Sequence, residues 1–483
     1  MTGGVGETAV EAPKVQEGEK RLRSINLDGH FTRRIKSFFQ DMSTWPWDER
    51  FPGVVFIRDH TDLPDRSPLD IDLLVDGTHQ ESLSAYISER ANACGLYSFI
   101  GQGGGGFFVL LFDLDPASPG RAWAFLEGRD RLVVTKERAI EASDIAVDRA
   151  TPNGLPAPTQ PWSAFLLLVQ GARTGKFDKA ARVLASQKLS VADAGPLCES
   201  ILGVSKRQCP NGTIVPQELR QELSSRVVIQ PEKPPQNLSL RTRLARWVFR
   251  SAYFPHLSAP YFFTIHGPDG VGKSTTCTAI KSIFERLPLQ FDSFHHITGW
   301  KHSRQAAAKS AGLIQRRPVS PLRKALRLVY RFLPETLRQV WVLGSGYHLY
   351  LTQINKHIYA RFVDGKILLV DRYIYDNIVR LQLKSPGFDW MHSIFSRLAR
   401  RPRTAYLLTD KPENIRRRKQ ELSHEELVRY PVLMEEELER RSIPTETVSV
   451  DGRPPAELAR VIVSDMLDRC GPDLFNLFRG SIR

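Results

Sequence analysis

The chain has 483 residues, more than one ordinary core holds, so two or three domains are expected, and its 41% hydrophobic and 25% charged content is that of a soluble globular protein. No apolar run reaches the roughly 18 residues of a membrane span, and five scattered cysteines without a CxxC pair argue against a disulfide framework or a thiolate zinc site. The net charge of +14 suits an anionic partner, and basic clusters without interleaved aromatic residues favour phosphate-bearing small molecules over nucleic acid.

Residues 1–24 lack an apolar signal core and read as a disordered tail, which leaves a cytoplasmic location as the expectation. Residues 25–150 mix short apolar runs ("GVVFI", "IDLLV", "GFFVLLFDL", "RLVVT") with a helical stretch near "HQESLSAYISERANAC", the pattern of a small α/β domain. Within it, "DRSPLDIDLLVDG" carries Asp70 and Asp72 on one face of a strand, where paired carboxylates can clamp magnesium for nucleotidyl transfer. Asp113 in "FFVLLFDLD" is the expected third acid, with Asp115 less well placed. These residues resemble the nucleotidyltransferase fold over about residues 50–130. The Gly-Gly or Gly-Ser turn that this family carries before its first acid is missing from "FIRDHTDLPDRSP", which favours a degenerate domain with a binding or regulatory role and leaves an active transferase and an unrelated small α/β domain open.

"ATPNGLPAPTQPW" marks a boundary, and residues 151–254 read as a helical connector ending in a Pro-rich hinge, "QPEKPPQN". From 255 to 483 the pattern alternates strand and helix: "YFFTI", "KILLVD", "TAYLLTD", "TETVSVD". Single buried apolar strands between helices predict an α/β domain with a parallel sheet covered by helices on both faces.

"GPDGVGKST", Gly267 to Thr275, follows "YFFTI" and leads into an amphipathic stretch, so strand, loop and helix are in the right order for a phosphate loop of the form G-x4-G-K-[ST]. Glycines let backbone N–H groups curl around a polyphosphate, and the helix adds its positive N-terminal end. The expected cofactor-binding residues are Gly267, Asp269, Gly270, Val271, Gly272, Lys273, Ser274 and Thr275. Lys273 would reach the β- and γ-phosphates of ATP, and the Ser274 hydroxyl would ligate Mg2+. A carboxylate at the end of a neighbouring strand is needed beside such a loop, and Asp371 in "GKILLVDRYIYDN" supplies it. Arg372 follows directly, in the crevice above the carboxyl ends of the strands.

Together "GPDGVGKST", "LLVDRY" and "YLLTDKPENIRRRKQEL" resemble the thymidylate kinase family and, more broadly, the nucleoside monophosphate kinases. "VDRYIYDNIVRLQ" and "KPENIRRRKQELSHEEL" resemble more closely the thymidylate-kinase-like proteins of bacterial surface-polysaccharide loci. The resemblance covers about residues 255–470. It implies that Asp269 faces the acceptor's sugar, Arg372 grips the acceptor phosphate and Tyr373 shapes the acceptor pocket. Arg416, Arg417 and Arg418 fall where the family has its lid. Val271 stands where some members carry an arginine, so a lid arginine, Arg416 or Arg418, would have to neutralise the transferring group. "VSVDGRPPAEL" is similar to the family's last strand and turn, around which the adenine is held. A homodimer is a further implication.

Residues 290–350 show no thymine-reading pattern, which leaves the acceptor open. His295, His296 and His302 have no carboxylate at fixed spacing and read as loop residues near the acceptor, not as metal ligands. The expected reaction is in-line transfer of the γ-phosphoryl group of ATP to a small acceptor, a nucleoside monophosphate or a related sugar-containing molecule. A monophosphate is already a nucleophile; a sugar hydroxyl would need a base, with Asp371 or Asp376 as candidates. Two rivals stay open: an ATP-binding or ATP-hydrolysing regulatory or assembly protein, and a nucleic-acid-acting enzyme. Arg372, directly after the strand acid, favours the kinase.

Overall fold

The computed structural model describes residues 30–58, 63, 71–102, 106–145, 147–148, 154–228, 261–295, 334, 337, 365–384 and 399–482. The expected tail, Asp70, His296, His302 and most of the 290–350 stretch lie outside them. Two units divide the chain, residues 1–237 and 238–483.

In the first unit, β-branched and aromatic runs form β1 (Val54–Arg58), β2 (Ile71–Val75), β3 (Tyr97–Gln102), β4 (Gly106–Phe112) and β5 (Trp123–Arg129). They make one sheet in the order β1-β2-β5-β4-β3, in which only the β2–β5 pair is parallel. Two small pairs, β6 (Arg131–Val133) with β7 (Ala139–Glu141) and β8 (Val147–Asp148) with β9 (Ala157–Pro158), follow. Helices α1 (Arg33–Met42) and α2 (Gln80–Ala93) cover one face through Ile35, Phe38, Leu83 and Ile87. The segment read as a connector forms α3 (Gln160–Thr174), α4 (Phe177–Ser186), α5 (Gly195–Leu202) and α6 (Gln217–Arg226). Its apolar side chains share one core with Val55 and Leu74 of the sheet. Cys198 and Cys209, eleven positions apart, are neighbouring thiols in that core.

In the second unit, the expected parallel sheet is present, with β10 (Phe262–His266), β11 (Phe291–His295), β12 (Ile367–Asp371), β13 (Thr404–Thr409) and β14 (Thr445–Ser449). The order is β11-β12-β10-β13-β14, and every pairing is parallel. Helices are α7 (Lys273–Phe284), α8 (Ile374–Lys384), α9 (Pro412–Arg418), α10 (His424–Arg440), α11 (Pro455–Cys470) and α12 (Asp473–Ile482). Side chains alternate along β10. Phe262 joins the core that α8 and α10 build with Tyr373, Ile378, Tyr430 and Met434. Phe263 stacks on Tyr406, whose hydroxyl bonds Asp465 of α11 on the opposite face. After β10 the chain goes to β11 on one side, whereas after β12 it crosses to β13 on the other. The loops after β10 and β12 therefore diverge and open a crevice at the carboxyl ends of the two central strands, where open α/β sheets bind ligands.

Among the described residues, no helix is long and apolar enough to cross a membrane.

Candidate phosphate-transfer site

The loop after β10 can turn because of three glycines with positive φ: Gly267 at 144°, Gly270 at 92° and Gly272 at 108°. Two are also pressed for space. A Cβ on Gly267 would lie 2.7 Å from the Leu408 carbonyl oxygen, and one on Gly270 would lie 2.9 Å from Lys419 Cβ. Val271 is fully buried and anchors the loop beneath. The loop delivers Ser274 and Thr275 as exposed residues to the first turn of α7, where unpaired N–H groups and the helix dipole favour anions.

Lys273 is buried, and its ammonium donates to the carbonyls of Gly267 and Pro268, the latter at 2.9 Å. Burial pushes its pKa down, and the nearby carboxylates of Asp376 and Asp371 push it back up. Asp371 ends β12 level with Ile265 of β10, and Ser274 Oγ lies 3.5 Å from Asp371 Oδ2. Burial raises the Asp371 pKa to about 6, with Lys273 opposing the rise. A hydroxyl and a carboxylate at this distance, one exposed and one on a strand end, are the hard oxygen donors that magnesium takes, so the residues fit that ion.

Arg372 has a left-handed backbone, φ 58°, uncommon for a residue with a Cβ. That conformation turns the chain out of β12, and the Arg372 guanidinium reaches Asp269 of the loop. Arg380 of α8 pairs with the other oxygen of the same carboxylate, while Lys273 and Lys419 lie 3.8 and 4.0 Å from it. Asp269 is thus buried among four cations. Arg418 donates to the Gly270 carbonyl at 3.2 Å and to Asp410 at 2.8 Å, so of the three consecutive arginines it is the one that touches the loop. Arg416 and Arg417 are exposed at the end of α9, where cations also suit the helix dipole.

Two expected roles change with these coordinates. Tyr373, placed at the acceptor by resemblance, is a fully buried core ring, edge-on to Phe262 at 5.3 Å. Asp376, a candidate base, is buried and engaged at both oxygens: Oδ2 to His266 Nδ1 at 2.5 Å, and Oδ1 accepting from the Tyr430 hydroxyl at 2.7 Å. Burial pushes its pKa up, but the charge and hydrogen bond of His266, with Lys273 and Tyr430, hold it down at about 2. It is therefore a weak base, already fully partnered. His266 Nε2 also meets Thr264 Oγ1 at 2.9 Å, so this network links the strand before the loop to α8 and α10. Asp376→Ala would leave two buried partners unsatisfied. Its expected cost is about 3–5 kcal/mol, read from the urea unfolding midpoint, with Asp376→Asn recovering part of it.

The first unit departs further from expectation. Asp113 follows β4 and its N–H bonds the Ala122 carbonyl, whereas Asp72 is level with Glu127, five residues along β5. That register separates them by about 16 Å along the strands. Asp113 instead accepts from Arg34 at 2.8 Å, and Asp115 pairs with the same guanidinium at 3.1 Å, tying α1 to the sheet. The acid beside Asp72 is Glu127, which pairs with Arg129 at 3.0 Å. Among the described residues, no group of three or more His, Cys, Asp or Glu side chains is placed to hold a metal.

No protein-family model matches the sequence, and no curated protein matches it. Among solved structures, the chain is similar to thymidylate kinase from Ehrlichia chaffeensis, at 12% identity over 43% of this chain and 98% of that one, with a TM-score of 0.27. A likeness at that level does not establish a shared fold.

Proposed function

We propose that the second unit transfers the γ-phosphoryl group of ATP to a small acceptor, in the manner of the thymidylate-kinase-like enzymes, with a nucleoside monophosphate or a related sugar-containing molecule as acceptor. The observation that carries this reading is the juxtaposition, at one crevice, of a loop with three positive-φ glycines, the buried Lys273, and Ser274 beside Asp371. Loop N–H groups and the α7 N-terminus would hold the β- and γ-phosphates, and Lys273 would exchange its loop carbonyls for phosphate oxygens. Magnesium, held by Ser274 and Asp371, would supply neutralisation of charge on the phosphates when bound. Arg418, which donates to the Gly270 carbonyl, would be the lid group that meets the transferring phosphoryl.

In the reaction an acceptor oxygen attacks the γ-phosphorus while the bond to the β,γ-bridging oxygen breaks, and ADP leaves with that electron pair. With Asp376 fully partnered, Asp371 is the one of the two candidate bases left for a hydroxyl acceptor, and it is the same carboxylate that the metal needs. A phosphate oxygen needs no base, which favours a phosphorylated acceptor. For the first unit, a binding or regulatory role fits better than nucleotidyl transfer, because Glu127, the acid level with Asp72, is already paired with Arg129.

Nucleotide binding tests the loop. Calorimetric titration of the full chain with a non-hydrolysable ATP analogue is expected to show one site that needs Mg2+ for full affinity. Equal affinity with and without the metal, or no binding, would contradict the reading.

A further inference from the structure

Asp269 is the centre of the strongest concentration of charge around the loop. Its carboxylate is buried, and its two oxygens are taken by two different guanidinium groups, Arg372 on Oδ1 and Arg380 on Oδ2. Lys419 adds a third cation at 4.0 Å and is itself neutralised by Glu421 at 2.7 Å. Among the described residues, these three cations and Lys273 at 3.8 Å outnumber the carboxylates of Asp269 and Glu421. The two arginines carry like charges and meet on the same carboxylate, so they repel each other. Like charges converging on one buried carboxylate are a costly arrangement unless a further anion shares it.

The geometry has a second consequence. Arg372 leaves the end of β12, and Arg380 lies two helical turns on, along α8, on the same face as Asp376. Both stay partly exposed, at 17% and 29% of their side-chain surface. Two guanidinium groups that reach the two oxygens of one carboxylate can equally take two oxygens of one phosphate, the planar-fork recognition to which arginine is suited.

We infer that Arg380 is a second acceptor-recognition residue, forming with Arg372 a paired-guanidinium clamp on one anionic group of the acceptor, for which Asp269 competes. This rests on the phosphoryl-transfer reading and deepens it. Asp269 holds the two arginines together and leaves a neutral acceptor nothing to gain from them. A phosphate monoester brings two negative charges and draws both arginines off the carboxylate, which is then released toward the acceptor's hydroxyls. Discrimination between a phosphorylated acceptor and its dephosphorylated counterpart thus resides in Arg380 as well as in Arg372.

The test uses the full chain saturated with Mg2+ and a non-hydrolysable ATP analogue, titrated with dTMP, with inorganic phosphate and with thymidine. The expected result is binding of dTMP and phosphate, tenfold or more weaker binding of thymidine, and a loss of about tenfold for dTMP in Arg380→Gln. Arg380→Lys should restore part of that loss, and the affinity for the ATP analogue should stay within about twofold, a split that a general folding defect would not give. Thymidine binding as tightly as dTMP, dTMP binding unchanged in Arg380→Gln, or neither dTMP nor phosphate binding to the nucleotide-saturated chain would overturn the inference. Failure of the ATP analogue to bind at all would instead remove the phosphoryl-transfer reading beneath it.

Discussion

Lys273→Ala is expected to lower phosphoryl transfer by at least about 1000-fold, the scale of losing a preorganised charge at the reacting phosphate. The fold should survive the change. Lys273 is buried, burial disfavours its charge, and among the described residues its hydrogen bonds run to the Gly267 and Pro268 carbonyls of the loop, with the Asp269 carboxylate 3.8 Å away. The substitution removes a costly buried cation but also its favourable charge beside Asp269, Asp371 and Asp376, so the variant should fold with a lowered unfolding midpoint. Lys273→Arg should not restore transfer, since a planar fork cannot replace a compact ammonium between two carbonyls. Circular dichroism and denaturation beside a product assay separate the two effects. Turnover near the original level in the well-folded Ala variant would remove Lys273 from the chemistry.

Asp371→Asn should divide stability from function in the opposite sense. The carboxyl has a pKa near 6 in the folded chain against 3.8 for the free group, chiefly through burial. Between those two values the folded state binds its proton more tightly than the unfolded state does. Without metal, stability therefore falls as the pH rises through that window and stays lower above about 6. The shift corresponds to a penalty on the order of 2–3 kcal/mol at neutral pH. Asparagine carries no such charge, so Asp371→Asn is expected to raise the unfolding midpoint of the metal-free protein at pH 7.5. At pH 4 the gain should nearly vanish. The same variant should lose the magnesium dependence of nucleotide binding, because a neutral amide is a poorer ligand for a hard cation. A variant less stable than the parent at pH 7.5, with magnesium dependence intact, would contradict both halves.

The sequence was most informative where the chemistry is local. Gly267, Gly270, Gly272 and Lys273 lie within seven positions, and the loop needs them in that order for reasons of backbone geometry. Asp371 was readable because an apolar strand ending in an acid is likewise local. The alternation of strand and helix from residue 255 was enough to predict a parallel sheet, though not its order.

Contacts made by tertiary packing were not legible. Arg380 looks like one more charge on a basic helix until α8 is laid against the loop; its i,i+4 relation to Asp376 was the available signal. His266 was passed over as the end of an apolar strand, yet a polar residue on the same face as Phe262 had to find partners on α8 or α10. The third acid of the first unit was misassigned to Asp113 because only strand register shows that Glu127 is the residue level with Asp72. The family resemblance assigns Tyr373 a pocket role, but the left-handed turn at Arg372 sends the next ring into the core.

The central claim is transfer to an acceptor, and product mass tests it most directly. The full chain would be incubated with Mg-ATP and a panel running from dTMP through other nucleoside monophosphates to sugar phosphates and free sugars. Lys273→Ala would be the control, and both ADP and the acceptor would be followed by mass spectrometry. The expected result is ADP formed in step with an acceptor heavier by one phosphoryl group, on a phosphorylated member of the panel and not in the Lys273→Ala control. ADP and inorganic phosphate released together, with every acceptor unchanged, would contradict it.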